Sequence, residues 1–416
     1  MTQAVEPTMK LNMKLTLVAL SLVITSIVRS QVSYNSFNQE TDLNIKSEMG
    51  LELWNHYIRF NLDSLKIAAV DLLLLASEHE HEFGRAVGTR MLGSYLYRSG
   101  KIDQGLEYLA IAKKFFEQKE DYMIASEVYN EVGNALQLKG DFEKSKDAYR
   151  KSLRFGEQSP DPTAAFNGKL GLGKVYIALG DTNLGMSLIH SYKQLALQNQ
   201  KYEAASDAFA YLAMIESARK NESLAQEYYL KSIDNSKKSE SKVHLAHSFA
   251  NLGILKFGLE EFDSSLYYFK ESLRLREEMS AKRPIVESHY NLGFFYMERD
   301  SMDQAIQEFT ISAELAKRYN LVQDEIDALT ELQSIYTGQT KDDLADECEV
   351  RIKELEKKKL EMASAEEKEL RELDLNFTKE NAKKEKSEGL SWVTFTIVVL
   401  ALAVLLFFFL ERKHFS

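Results

Sequence analysis

Residues Tyr129 to Leu153 read YNEVGNALQLKGDFEKSKDAYRKSL. Apolar residues three or four apart make one buried helix face. Val132, Ala135 and Leu136 do this before the Lys139-Gly140-Asp141 turn, and Ala148, Tyr149 and Leu153 after it. The stretch therefore reads as two short amphipathic helices around a turn. Gly133 falls inside the first helix, where glycine costs roughly 1 kcal/mol relative to alanine. That cost points to a close helix contact that a larger side chain would block.

The pattern returns every 40 residues. With Gly93 as marker, the same place is held by Gly133, Gly173, Ala213, Gly253, Gly293 and Gln333. The residue before each is Leu or Val. Twelve residues after the markers stand Gly105, Ser145, Gly185, Ala225, Ser265, Ala305 and Ala345, all small. Four further on come Leu109, Tyr149, Ile189, Tyr229, Phe269 and Phe309, until Glu349 breaks the series. Small residues on two helices let their axes approach, and the large residue one turn later is expected to fill space against the neighbouring pair. The inter-helix turn carries Gly100, Gly140 and Gly180, then Lys220, Glu260, Asp300 and Thr340. Glycine suits the positive φ common at a helix C-terminus.

The Leu-Gly pair, the Gly-Asp/Lys turn and the small-aromatic-small second helix resemble the tetratricopeptide repeat family. The period of 40 exceeds the family's usual one, and the family's late proline is absent from most repeats. The resemblance covers Ala86 to Lys359 as seven repeats. A degenerate pair, Leu51 to Phe60 and Leu62 to Ala76, precedes them as a cap. The expected class is all-α: a solenoid of helix pairs, then a long charged helix and one C-terminal transmembrane helix.

The 416-residue chain has 52 Lys+Arg against 63 Asp+Glu, a net charge of −11, which argues against a nucleic-acid partner. Its single cysteine, Cys348, excludes an intrachain disulfide and reads as a small residue on a helix. At the N-terminus, Lys10 and Lys14 precede the apolar run Leu15 to Val28. These are the parts of a secretory signal, with cleavage placed after Ser30. Met9 or Met13 as the start gives a cleaner signal, and an uncleaved anchor is the alternative.

No enzyme signature emerges, and no cofactor or metal is expected. Gly168 to Lys174 has the spacing G-x-x-x-x-G-K of a phosphate loop, but Val175 replaces the required Ser or Thr and the segment belongs to a helix. His79 and His81 read as a solvated turn. His244 and His247, spaced i, i+3, have no third ligand nearby in sequence.

The resemblance implies a groove lined by the first helix of each pair, holding a protein or peptide. Carried over by position, its lining is Asn130, Asn134, Gln137, Asn167, Lys174, Tyr211, Met214, Asn251, Phe257, Tyr290, Asn291 and Phe294. Asparagine can pair with both sides of a peptide backbone. Aromatic residues supply apolar anchors. The first half of the groove is thus polar and the second aromatic.

Beyond the repeats, Thr340 and Asp343 resemble a capping box opening a helix without Pro or Gly from Leu344 to about Lys386. At 1.5 Å per residue it would reach roughly 65–70 Å. Leu355, Met362 and Leu373 suggest a heptad seam interrupted by Lys359, Glu366 and Glu369, leaving a single helix or a homodimeric coiled coil open. Leu390 to Leu410 carries no charge and is long enough to span a membrane. Glu411, Arg412, Lys413 and His414 follow; their basic residues put that end in the cytoplasm. The expected order is signal peptide 1–30, capping helices 31–85, repeats 86–340, stalk 341–388, span 389–410 and tail 411–416. Such a layout resembles the periplasmic sensor region of Bacteroidetes histidine kinases and regulators in the inner membrane, without their cytoplasmic effector. It fits a membrane-anchored scaffold or, alternatively, a sensor subunit relaying ligand binding to a separate kinase or regulator.

Overall fold

The computed structural model describes residues 34–372, apart from 61 and 162. The chain divides into two units, Met1–Glu349 and Val350–Ser416. Among the described residues all regular structure is helical. Three helices come first: α1 (Tyr34–Gln39), α2 (Leu43–Phe60) and α3 (Leu62–Glu78). Helix pairs follow: α4 (Glu82–Arg98) with α5 (Ile102–Gln118), α6 (Tyr122–Lys139) with α7 (Phe142–Gln158), and α8 (Phe166–Ala178) with α9 (Thr182–Gln198). Next come α10 (Tyr202–Ala218) with α11 (Glu222–Lys238), α12 (Lys242–Gly258) with α13 (Phe262–Glu278), and α14 (Lys282–Glu298) with α15 (Met302–Tyr319). After α16 (Val322–Gly338), residues 342–372 are helical. Each helix packs mainly on its sequence neighbours, as in a one-dimensional stack.

The turns beat at half the repeat period. A residue with positive φ stands at every twentieth position from Glu80 (φ 50°) to Thr340 (φ 54°), with one gap. At Gly140, the Gly140 amide donates to Gln137 O (3.0 Å) and the Asp141 amide to Leu136 O (2.9 Å). This pair of bonds satisfies carbonyls the helix end leaves free. Asp141 then caps the next helix by accepting from the Lys144 amide (3.3 Å). One residue spacing thus ends one helix and starts another. The gap falls on Pro160, whose ring fixes φ near −65°. Ser159 is extended instead (ψ 143°), and α8 begins only at Phe166, making it shorter than its counterparts.

The marker columns pack more closely than small-against-small alone. Ser145 Oγ donates to Gly133 O (2.7 Å), and Ser265 Oγ to Gly253 O (2.8 Å). The space a Cβ on Gly133 would need is taken by the Tyr149 ring, at 2.6 Å. Phe269 covers Gly253 likewise, and Phe309 covers Gly293. The large residue therefore sits on the marker glycine of its own repeat; Tyr149 also reaches Gly171 of the next. In α11, α13 and α15 a second clamp lies seven residues beyond the small residue: Ser232, Ser272 and Ser312 donate to the carbonyls of Ser206, Ala246 and Val286.

Thr340 does not cap a helix. It occupies the positive-φ turn position, and its Oγ1 donates to Gln339 O (2.7 Å). Cys348 is buried against Ala305, Phe309, Leu332 and Ile335. In the second unit Leu355 is buried and Met362 exposed. Leu373, the signal peptide 1–30, the span Leu390 to Leu410 and the tail 411–416 lie outside the described residues. Among the described residues no helix is long and apolar enough to cross a membrane.

Candidate binding surface on the first helices

First helices touch the next first helix: α4 meets α6, α6 meets α8, α10 meets α12 and α14 meets α16. Second helices make no comparable contacts with one another. The first helices are therefore the crowded inner layer.

At the N-terminal end this layer closes on itself. Arg90 on α4 is buried, with Nε 2.7 Å from Glu131 Oε1 and one terminal nitrogen 2.9 Å from Glu127 Oε2. The second contact is an ion pair without hydrogen-bond geometry. Ser94 Oγ donates to the other Glu131 oxygen and accepts from Trp54 Nε1 (2.9 Å). The guanidinium lies 4.0 Å from the Trp54 ring centre. Sequence reasoning missed this cluster. Its signal is a charge inside the buried stretch of each of two successive first helices: Arg90 and, 41 residues on, Glu131.

The polar groove positions of the same region serve the protein itself. The Tyr149 hydroxyl donates to Asn134 Oδ1 (2.7 Å), with Gln137 Oε1 at 3.2 Å. Asn130 is half-buried on the same helix. Lys174 Nζ sits 4.4 Å from the Tyr211 ring centre, and burial lowers its pKa against the pull of Asp207. Lys174 thus bridges α8 and α10. The Gly168–Lys174 segment lies wholly within α8, so the loop that would cradle a phosphate is not formed. Asn167 is apart from the others, in a cavity of about 450 Å³ with Phe166, Tyr192, Lys201 and Tyr202, beside the delayed start of α8.

His81 is a helix cap: its Nδ1 accepts from the Gly84 amide (3.0 Å). His244 meets Ser241 Oγ (2.7 Å) and lies 3.5 Å from Asp207, a carboxylate that sequence spacing did not bring near. Among the described residues no group of three or more His, Cys, Asp or Glu is placed to hold a metal.

The C-terminal half of the layer is different. Ile254, Phe257, Phe269, Asn291, Phe294, Phe295 and Glu298 line a cavity of about 210 Å³ between α12, α13 and α14. Ile254 is 59 % exposed and Met214, one period earlier, 48 %. Asn291 is exposed. Asn251, on α12, is half-buried. Tyr290 packs edge-on against Phe294 (4.9 Å) and Phe309 (5.5 Å), and its hydroxyl donates to Glu331 (3.3 Å). Of the expected lining residues, Phe257, Asn291 and Phe294 converge on one cavity, with Tyr290 behind them. Ile254 was legible as the middle of the Met214–Ile254–Phe294 column, spaced by 40.

The sequence model described as tetratricopeptide repeat matches residues 126–155, within α6 and α7. The segment α6–α7 thus carries a tetratricopeptide repeat. The apo form of the quorum sensor NprR from B. thuringiensis is similar in structure, with a TM-score of 0.50 at 13 % identity, covering 77 % of this chain and 90 % of that one. A signal-transduction ATPase with a tetratricopeptide repeat sensor from Pyrococcus horikoshii gives a TM-score of 0.49 at 12 % identity, covering 79 % of this chain and 53 % of that one. The likeness to NprR, at that identity, is one of fold. A comparison with curated proteins returns no match.

Proposed function

We propose that this protein is a scaffold that holds a peptide segment of a partner protein on its first-helix layer. The observation that supports it is the open apolar cavity at Ile254, Phe257 and Phe294, with exposed Asn291 at its edge. Large apolar groups in a concave, desolvated site dominate interface energy. An amide at the edge can both donate to and accept from a peptide backbone.

In this reading the scaffold is anchored, its repeats 86–340 held outside the cytoplasm by a signal at 1–30 and a span at 389–410. The stalk 341–388 is single or pairs with a second copy. The agreement of a basic leader at one end with basic residues after an uncharged run at the other supports that placement. The alternative role, a sensor subunit acting on a separate kinase or regulator, uses the same cavity and differs only in what the stalk carries onward.

The test is a peptide array probed with the full chain and with the Ile254→Ser variant. Sequences with large apolar residues are expected to bind the native chain and to lose at least tenfold in affinity with the variant. Equal binding by both would remove the cavity from the account.

A further inference from the structure

The cavity on α12–α14 is apolar within and acidic at its mouth. Ile254, Phe257, Phe269, Phe294 and Phe295 form the interior, and exposed Glu298 is part of the lining. Tyr290 connects this site to further carboxylates. Its ring stands against Phe294, and its hydroxyl donates to Glu331. Burial, then the Glu331 and Asp327 carboxylates, push that hydroxyl's pKa up to about 12. The helix that supplies them, α16, carries Asp324, Glu325, Asp327 and Glu331 and no Lys, Arg or His.

The basic groups of α14 and of the residue that follows it are already engaged, Lys282 lying 5.6 Å from the centre of the Tyr319 ring. Arg299 lies 3.9 Å from the centre of the Phe262 ring. Arg283 pairs with Asp324 (3.3 Å) and Glu287 (3.6 Å). His289 Nδ1 is 2.7 Å from Glu308. Glu298 at the cavity edge and Glu331, one ring beyond it through Tyr290, with Asp327 one helix turn from Glu331 on α16, thus give this stretch of the first-helix layer a negative potential. Rim charges of one sign steer encounter and reject like-charged partners, while the buried anchor holds the complex.

We propose that the occupant of this cavity is a peptide segment with a large apolar side chain flanked by lysine or arginine. The apolar group seats against Ile254, Phe257 and Phe294, and Glu298, Asp327 and Glu331 meet the cations. This rests on the cavity being a peptide site.

Three fluorescent 12-residue peptides test it by anisotropy with the purified full chain. One has a central Phe between Lys pairs, one a central Phe between Glu pairs, and one Lys pairs around Ser. The Lys–Phe peptide is expected to bind at least tenfold more tightly than either other at low salt. The gap to the Glu–Phe peptide narrows in high salt, because charges at an exposed rim are screened. Glu298→Gln with Asp327→Asn and Glu331→Gln closes that gap while Phe dependence persists. Circular dichroism of this variant checks that the array is intact.

Equal binding of the two Phe peptides, or a gap that survives the triple variant, overturns the charge assignment and leaves the cavity reading standing. Lys–Ser binding as tight as Lys–Phe overturns it as well, since no anchor is then needed. Phe-dependent binding that ignores Ile254→Ser overturns the cavity reading itself, as does no binding by any peptide.

Discussion

The two ends of the first-helix layer use the same repeat positions for opposite ends. Around α4 and α6, Arg90 pairs with Glu127 and Glu131 against the Trp54 ring, and Asn134 with Gln137 receives the Tyr149 hydroxyl. Around α12 and α14, Ile254, Phe257 and Phe294 leave an apolar cavity with Asn291 exposed beside it. A polar group that finds a partner inside the protein has less to offer a ligand. An apolar surface left without cover gains by acquiring one, at about 25 cal/mol for each Å² removed from water. Polarity at a groove position is therefore a poorer guide to binding than whether the fold has already satisfied the group.

The strongest way to break this contrast is to unpair the N-terminal cluster. Glu131→Leu strips Arg90 of its buried partner, and breaking such a pair costs about 3–5 kcal/mol. Thermal unfolding followed by circular dichroism is expected to show a large drop, with the Arg90→Met, Glu131→Leu double variant recovering much of it. Peptide binding at the α12–α14 cavity should be unchanged. Loss of that binding with the fold intact would make the two ends one site.

Gly105→Ala comes next. Its Cβ would lie 2.7 Å from the Tyr97 amide nitrogen and 2.8 Å from Gly93 O, both backbone atoms that cannot swing aside. Overpacking of this kind costs about 1–3 kcal/mol. Unfolding midpoints in urea check it; a neutral result would mean the α4–α5 approach is looser than the contact implies.

Asn134→Ala removes the nearer acceptor of the Tyr149 hydroxyl and leaves Gln137. A loss of about 1 kcal/mol is expected, with peptide affinity unaltered. Thr340→Gly works in the other direction. A β-branched residue at φ 54° is strained, and glycine relieves it. A gain of about 0.5–1 kcal/mol follows from the cost of left-handed backbone, reduced by the extra freedom of the unfolded chain. Ile254→Ser is expected to shift stability least, within about 0.5 kcal/mol, because that side chain is mostly exposed.

The helix pairs were legible because a 40-residue spacing of Leu-Gly, small and large residues survives in sequence. The turns at Lys220, Glu260 and Asp300 were legible by position alone, since the backbone imposes positive φ whatever residue stands there. Pro160 lies on that beat and cannot comply, yet the shift it causes is absorbed before Gly173, so the period conceals it. The groove was half readable. Phe257, Asn291 and Phe294 share one cavity, whereas the partners of Asn134 and Arg90 lie on other helices, where no local spacing reveals them. Ile254 shows in the sequence only through its 40-residue column with Met214 and Phe294; its exposure is what sets it apart from core.

Site-specific photo-crosslinking tests the central contrast most directly. p-Benzoyl-phenylalanine placed at position 254 or at position 134 of the full chain is irradiated with the Lys–Phe peptide, and adducts are counted by mass spectrometry. The peptide is expected to be joined at 254 and not at 134. Adducts at 134 without adducts at 254 would contradict it.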